Sequence, residues 1–238
     1  MTDYELIMKY LPKYKHKRAI KLLDKNYPVQ YIIGNTEFVD NLIFVNKNVL
    51  IPRFETEYLV EKTLNYIQKY QIKRPKIIDL CTGSGCIAIA LKSKINCTIT
   101  GIDISNKAIK LAKKNAKYNK VDINFIVKDI DKYFPKEKYD IIISNPPYVK
   151  YDEIVDFKTR FEPKKALYAE DNGLYFYKVI LNKYKDNINS KYLFCFEIGI
   201  TQGKEIQKFA KELYPEANIF IEKDLTNRDR YIFITNFE

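Results

Sequence analysis

The chain has 238 residues, 46% of them hydrophobic and 30% charged, with 41 basic against 30 acidic side chains for a net charge of +11, and only seven glycines. That balance fills a core and excludes a disordered polymer, and at roughly 100–200 residues per domain it predicts one main domain with a small appendage. The longest uncharged run in the most apolar region, Leu80–Leu91, has 12 residues against the ~20 of a membrane span; the charged N-terminus predicts no secretory leader; and four cysteines without a paired framework point to a reducing cytoplasm.

Residues 1–27 are lysine-rich, with apolar side chains at Leu6, Ile7, Tyr10, Leu11, Ile20, Leu22 and Leu23. This spacing predicts one or two short amphipathic helices broken near Pro12. Pro28 marks a boundary, and residues 28–50 read as a β-hairpin linker, with strands over Tyr31–Phe38 and Leu42–Leu50 around Val39-Asp40-Asn41. The third and main unit, 51–238, opens with helical spacing from Glu55 to Lys69 through Leu59, Val60, Leu64 and Ile67.

Strands and helices then alternate. A strand over Lys76–Leu80 leads to a helix over Cys86–Lys94, a strand over Cys97–Ile102 and a helix over Asn106–Tyr118 capped by Ser105. Strands over Asn124–Val127 and Tyr139–Ser144 follow. After a long loop come a helix over Asn172–Lys185, a strand over Tyr192–Glu197, a helix over Gln202–Leu213 and strands near Asn218–Glu222 and Tyr231–Thr235. Such alternation predicts an α/β fold with a mainly parallel sheet and helices on both faces. The basic excess has two readings, a nucleic-acid partner or plain composition. Its scatter, with no run of five basic residues, favours composition.

Two strand ends carry chemistry. At the first, Asp79-Leu-Cys-Thr-Gly-Ser-Gly-Cys86 is delivered by a strand and left by a helix, so Gly83 and Gly85 let the backbone turn close to a ligand that faces helix N–H groups. Asp103 ends the next strand 18 residues after Gly85, where a carboxylate can accept hydrogen bonds from ribose hydroxyls. Asp129, after the third strand, offers a further contact such as to an adenine amino group; the plainer reading is a solvated loop carboxylate. At the second, Pro146 and Pro147 hold a stiff loop whose carbonyls stay free. The oxygens of the Asn145 side chain and of Pro146 make two in-plane acceptors for a planar NH2 group, and Tyr148 offers a flat face for stacking. Paired prolines that merely end the strand are the alternative.

Together these segments resemble the class I S-adenosylmethionine-dependent methyltransferases that modify planar amino groups. Five further stretches, Pro28–Phe38, Val49–Glu57, Phe161–Leu167, Glu197–Gly199 and Lys223–Arg230, make residues 28–238 similar to the peptide chain release factor N5-glutamine methyltransferase family. The resemblance implies a Rossmann-like, mainly parallel seven-stranded sheet. It implies transfer of a methyl group from S-adenosylmethionine to the side-chain amide of the glutamine in the Gly-Gly-Gln motif of release factors, in the cytoplasm and away from any membrane. Carried onto this sequence, it sets Cys81, Thr82, Gly83, Ser84 and Gly85 around the methionine part of the cofactor, Asp103 at the ribose, and Asp129 with Ile130 at the adenine. Asn145, Pro146, Pro147 and Tyr148 would grip the glutamine, with Asn145, Pro146 and Tyr148 carrying the catalysis and Asn145 also bordering the cofactor.

The residues fit that chemistry. An amide nitrogen is a poor nucleophile, no strong general base stands out, and the one histidine, His16, lies outside the motifs, so the expected mechanism is positional. No His or Cys completes a metal ligand set around Cys81 and Cys86, and no metal is expected. The chain departs from the family in three places. Cys81 stands where many members carry glycine, Phe54 interrupts a common Arg-Pro-Glu-Thr-Glu, and only 27 residues precede Pro28 where a longer helical domain is usual. Other readings are glutamine methylation of a ribosomal protein, which the acidic Glu55–Glu57 pattern argues against, and N6-adenine methylation of nucleic acid, which uses a similar Asn-Pro-Pro-Tyr clamp. Against the latter, no target-recognition region for base flipping is evident. A non-catalytic binding module would have lost the clamp.

Overall fold

The computed structural model describes residues 2–238. Helix α1 (Asp3–Tyr10) starts with a capping box in which Thr2 Oγ1 accepts from Glu5 N and Thr2 N donates to the Glu5 carboxylate. Pro12 separates it from α2 (Lys13–Leu23). A third short helix, α3 (Val29–Ile33), lies where the β-rich pattern predicts a strand from Tyr31. The N–H groups of Tyr31 and Ile32 bond back to Pro28 O, and Gly34, in the left-handed region at φ +86°, closes the helix. Val29, Ile32 and Ile33 join Ile7, Ala19 and Leu23 in a small separate core, so packing overrides the strand preference of these β-branched residues. The hairpin that follows is therefore shorter than expected: β1 (Asn35–Phe38) pairs antiparallel with β2 (Asn41–Phe44) across Val39 and Asp40, both at positive φ as a tight hairpin turn requires.

The main unit follows the predicted alternation. Its elements are α4 (Phe54–Lys69), β3 (Lys76–Leu80), α5 (Cys86–Lys94), β4 (Thr98–Asp103), α6 (Asn106–Tyr118), β5 (Asn124–Val127), β6 (Tyr139–Ser144), α7 (Tyr175–Lys183), β7 (Ile188–Glu197), α8 (Gly203–Leu213), β8 (Asn218–Lys223) and β9 (Asp229–Thr235). Ser105 caps α6, its Oγ accepting from Ala108 N at 3.2 Å. The seven strands run in the order β5-β4-β3-β6-β7-β9-β8; only the pairings of β9 with β7 and β8 are antiparallel.

Each central strand is apolar on both faces and its residues alternate between two cores. Ile77, Ile141, Ile143, Leu193, Cys195, Tyr231 and Phe233 pack with α4, α5 and α6, whereas Ile78, Ile142, Phe194, Phe196, Ile232 and Ile234 pack with α7 and α8. The hairpin is fastened to the first layer by Asn115, which is fully buried. Its Oδ1 accepts from Phe44 N at 2.9 Å while its Nδ2 donates to Phe44 O at 3.1 Å and to Ser84 O at 2.8 Å. Among the described residues no helix is long and apolar enough to cross a membrane.

Candidate functional site

The sheet reverses its direction of construction at β3, which has β4 on one side and β6 on the other. Open α/β sheets leave a crevice outside the carboxyl ends of the strands at such a switch point. Register decides what lines it. Leu80 pairs with Ile102 and with Ser144, and Ser144 pairs with Phe196. The next residue of each strand is Asp103, Cys81, Asn145 and Glu197. Four separate stretches of sequence thus emerge side by side along one edge.

The Cys81–Gly85 turn holds itself in shape. Cys81 adopts φ +61° and Gly85 φ +81°. Thr82 N donates to Ile102 O at 2.8 Å, Gly83 N to Asp103 Oδ2 at 2.9 Å and Gly85 N to Thr82 O at 2.8 Å, while the Thr82 hydroxyl donates to Asp79. The sequence reading has backbone N–H groups facing a ligand here. Three of them are instead committed inside the protein, and the turn is a frame rather than a ring of donors. The chemistry nonetheless fits S-adenosylmethionine. A side-chain carbon added at Gly83 would meet only Cys81 O, at 3.9 Å, so open space lies before the turn. Asp103 receives one backbone N–H on each oxygen, from Gly83 and from Ser105 at 2.8 Å. The second lone pair on each oxygen can accept a ribose hydroxyl. Burial pushes the Asp103 carboxyl above its ordinary range. Burial also pushes the Cys81 thiol well up, which makes it a packing group and not a nucleophile.

Asp129 follows β5 and is half-buried, with Oδ1 accepting from Asp131 N at 3.1 Å and Lys132 Nζ 3.7 Å from Oδ2. Ile130 next to it is a core residue, its side chain 4% exposed among Ile78, Leu80 and Ile102. The Ile130 side chain therefore does not open onto solvent.

The second segment is a network. Pro146 and Pro147 are buried, which fixes the loop. Asn145 Nδ2 donates to Thr56 Oγ1 at 3.0 Å, and Thr56 Oγ1 donates to Glu197 Oε2 at 2.7 Å. The Tyr148 hydroxyl donates to Glu197 Oε1 at 3.2 Å and accepts from Arg230 Nη1 at 3.5 Å; Arg230 Nη1 also donates to Ile198 O at 3.2 Å. Tyr177 donates to Glu197 O at 2.7 Å, and Gln202 Nε2 holds Tyr148 O at 2.9 Å. Tyr148 is thus anchored at its hydroxyl and packs its ring on the second core, a more fixed role than the stacking platform the sequence suggests. Glu197 is 2% exposed, and burial raises its carboxyl pKa against the lowering effects of Thr56, Arg230 and Tyr148.

A third set closes the site from the chain's N-terminal side. Buried Glu162 accepts from Ile51 N at 3.0 Å and from the Arg53 guanidinium, which ties the 157–167 loop to the residues leading into α4. Sequence reasoning assigns no role to Thr56, Glu197, Arg230 or Glu162. Each lies inside one of the stretches that carry the family resemblance, and that was the only signal available.

Comparison with known proteins shows what the chain is similar to. A family model described as the methyltransferase small domain matches residues 56–167. The release factor glutamine methyltransferase of Lactococcus lactis is 38% identical over 219 residues, covering 90% of this chain and 79% of the relative. That of Flavobacterium psychrophilum is 42% identical over 217 residues, covering 88% and 76%. Among solved structures, the release factor-specific protein-(glutamine-N5) methyltransferase of Alicyclobacillus acidocaldarius superposes with a TM-score of 0.51 at 22% identity, over 79% of this chain and 95% of that one. The last likeness is one of fold.

Proposed function

This chain belongs to the release factor glutamine methyltransferase family, and on that premise we propose how its residues divide the work. The enzyme uses S-adenosylmethionine to methylate the side-chain amide nitrogen of a glutamine in peptide chain release factors. We read that glutamine as the one in the Gly-Gly-Gln motif. The carrying observation is the pairing of Leu80 with Ser144, because it makes the cofactor turn and the Asn145 clamp neighbours on adjacent parallel strands.

S-adenosylmethionine, when bound, supplies an electrophilic methyl group on a sulfonium. The remaining steps belong to the chain. Asp103 and the Cys81–Gly85 turn hold the nucleoside and methionine parts, with Asp129 and the backbone of Ile130 at the adenine. Asn145 Oδ1 and the Pro146 carbonyl each accept one hydrogen of the substrate amide, so its nitrogen is presented in a set plane. Positive charge that develops on that nitrogen is stabilised by the same two oxygens, which are already in place and need no reorganisation. Buried prolines keep water and slack out of the loop. Formation of the nitrogen–carbon bond would break the methyl–sulfur bond and return its electron pair to sulfur as a neutral thioether, and the surplus proton on nitrogen would pass by these acceptors to water.

The parts of the chain divide, in this reading, into a helical segment that runs past the expected 1–27 through α3 to Ile33, a hairpin linker up to residue 50 and the transferase at 51–238. Exposed Phe54, Tyr151 and Ile154, in segments adjoining the clamp and α4, offer contact to the release factor. Four free cysteines support a reducing cytoplasm. Nucleic acid is not the expected substrate in this reading.

The test is transfer of label from S-adenosylmethionine to a purified release factor, its Gln→Ala variant, RNA and DNA. Label in the release factor alone, lost on its Gln→Ala change and lost again with Asn145→Ala enzyme that still binds the cofactor, is the expected result. Label in nucleic acid and none in the release factor overturns it.

A further inference from the structure

We infer that Thr56 and Glu197 are positioning residues that fix which way round the Asn145 amide faces, and so make the clamp receive an NH2 group and refuse an oxygen. This rests on the reading of Asn145 as the substrate clamp.

A threonine hydroxyl has one hydrogen and two lone pairs, and an ionised carboxylate only accepts. Thr56 Oγ1 lies 2.7 Å from Glu197 Oε2, so its hydrogen points at the carboxylate. Its lone pairs are what remain for Asn145, 3.0 Å away. Asn145 must therefore bring its NH2 to Thr56 and turn Oδ1 away from it, toward the substrate side. Reversed, the amide would set two acceptors against each other with no hydrogen between them, an arrangement that leaves buried polar groups unpaired.

The groups that hydrogen-bond Glu197 hold the chain of hydrogen bonds in the same sense. Tyr148 donates to Oε1 and Tyr177 to the backbone oxygen. Arg230, which faces Glu197 from β9, favours the ionised form, while Glu55 from the first turn of α4 opposes it. Burial raises the pKa of Glu197, so acid protonates it sooner than it would an exposed glutamate. A protonated Glu197 can donate to Thr56, which frees the threonine hydrogen for Asn145 Oδ1 and lets the amide turn over.

The consequence is selectivity. With Oδ1 held outward, a substrate amide finds an acceptor for its hydrogen, whereas a glutamate side chain finds acceptor against acceptor. Sites built this way reject the wrong group through their own unpaired atoms.

The experiment compares the parent enzyme with Thr56→Val, Thr56→Ser, Glu197→Gln and Asn145→Ala. It measures kcat/KM on the release factor, S-adenosylmethionine affinity by calorimetry, and inhibition by a release factor carrying Gln→Glu. Thr56→Val is expected to lose at least tenfold in kcat/KM with cofactor affinity unchanged, and to bind the Gln→Glu protein at least tenfold better relative to the unmodified one. Thr56→Ser should restore both within threefold. A merely structural role for Thr56 would leave the Gln-to-Glu preference unmoved. If Asn145→Ala is inactive while Thr56→Val keeps parent rate and preference, the inference falls and the clamp reading stands. An active Asn145→Ala overturns both. Should Thr56→Val fail to fold, the pH profile decides. Parent kcat/KM should fall on the acid side while that of Glu197→Gln stays flat there, and equal profiles refute the inference.

Discussion

Replacing Asp79 by asparagine removes a carboxylate that the fold holds wholly out of water. Asp79 is 0% exposed at the heart of β3, and its Oδ2 accepts from the Thr82 hydroxyl. Among the described residues Oδ1 has no hydrogen-bond partner. Burial, only partly offset by the Thr82 hydroxyl, pushes its pKa from 3.8 up to about 7. The folded protein therefore keeps a proton on Asp79 that the unfolded chain has already released. Below the unfolded value this contribution to stability is complete. It is then lost by about 1.4 kcal/mol per pH unit until the folded group ionises too, a total of about 4 kcal/mol. Asparagine matches the protonated side chain in size and does not titrate. The difference in unfolding free energy, variant minus parent, should rise by about 4 kcal/mol between about pH 4 and about pH 8 and then level off. Urea denaturation of both cofactor-free proteins across that range measures it, and subtraction cancels the groups common to the two. A difference that stays level within about 1 kcal/mol would show that Asp79 titrates alike folded and unfolded.

Three other changes probe the frame of the site. A side-chain carbon at Gly101 would sit 2.5 Å from two ring carbons of Phe125, whose ring also closes on Gly85; Gly101→Ala should cost about 2 kcal/mol and lower Tm by roughly 6 °C, and an unchanged melting curve would contradict the contact. Cys81 bears a side chain at φ +61°, a region that costs an L-residue roughly 1–2 kcal/mol. Cys81→Gly should accordingly be at least as stable as Cys81→Ala in urea, with cofactor affinity kept; the reverse order would show that the strain is absent. Asn115→Ala leaves the half-buried Phe44 N and O and the buried Ser84 O without their partner, for a loss of about 3 kcal/mol by denaturant titration. A loss below about 1 kcal/mol would mean that water replaces the amide.

Phe125 and Asn115 illustrate what pattern reading does not reach. Phe125 reads as one apolar residue in a short strand, yet its pairing with Gly101 lays its ring over two glycines, one in β4 and one in the cofactor turn. Asn115 reads as a polar residue in an amphipathic helix, yet it joins the hairpin to the cofactor turn across 71 and 31 residues of chain. The segment from Tyr31 to Ile33 errs in the other direction. Its β-branched residues suggest a strand, but a small apolar cluster under α1 and α2 takes them as helix.

The amino-acid sequence by itself determined the alternation of strands and helices after Lys76, the Ser105 cap, the Gly-rich turn and the Asn-Pro-Pro-Tyr segment. Those signals depend on neighbours along the chain: periodicity, turn chemistry and the backbone limits of glycine and proline. Tertiary structure alone decided that Cys81, Asn145, Glu197 and Asp103 stand in one row, because strand register exists only once the strands are aligned. It alone joined Thr56 to Glu197 across 141 residues, and with that bond set the direction of the hydrogen that orients the clamp. A sequence can name the acceptor for an amide; which way that acceptor faces is settled by the partners that folding brings to its other side.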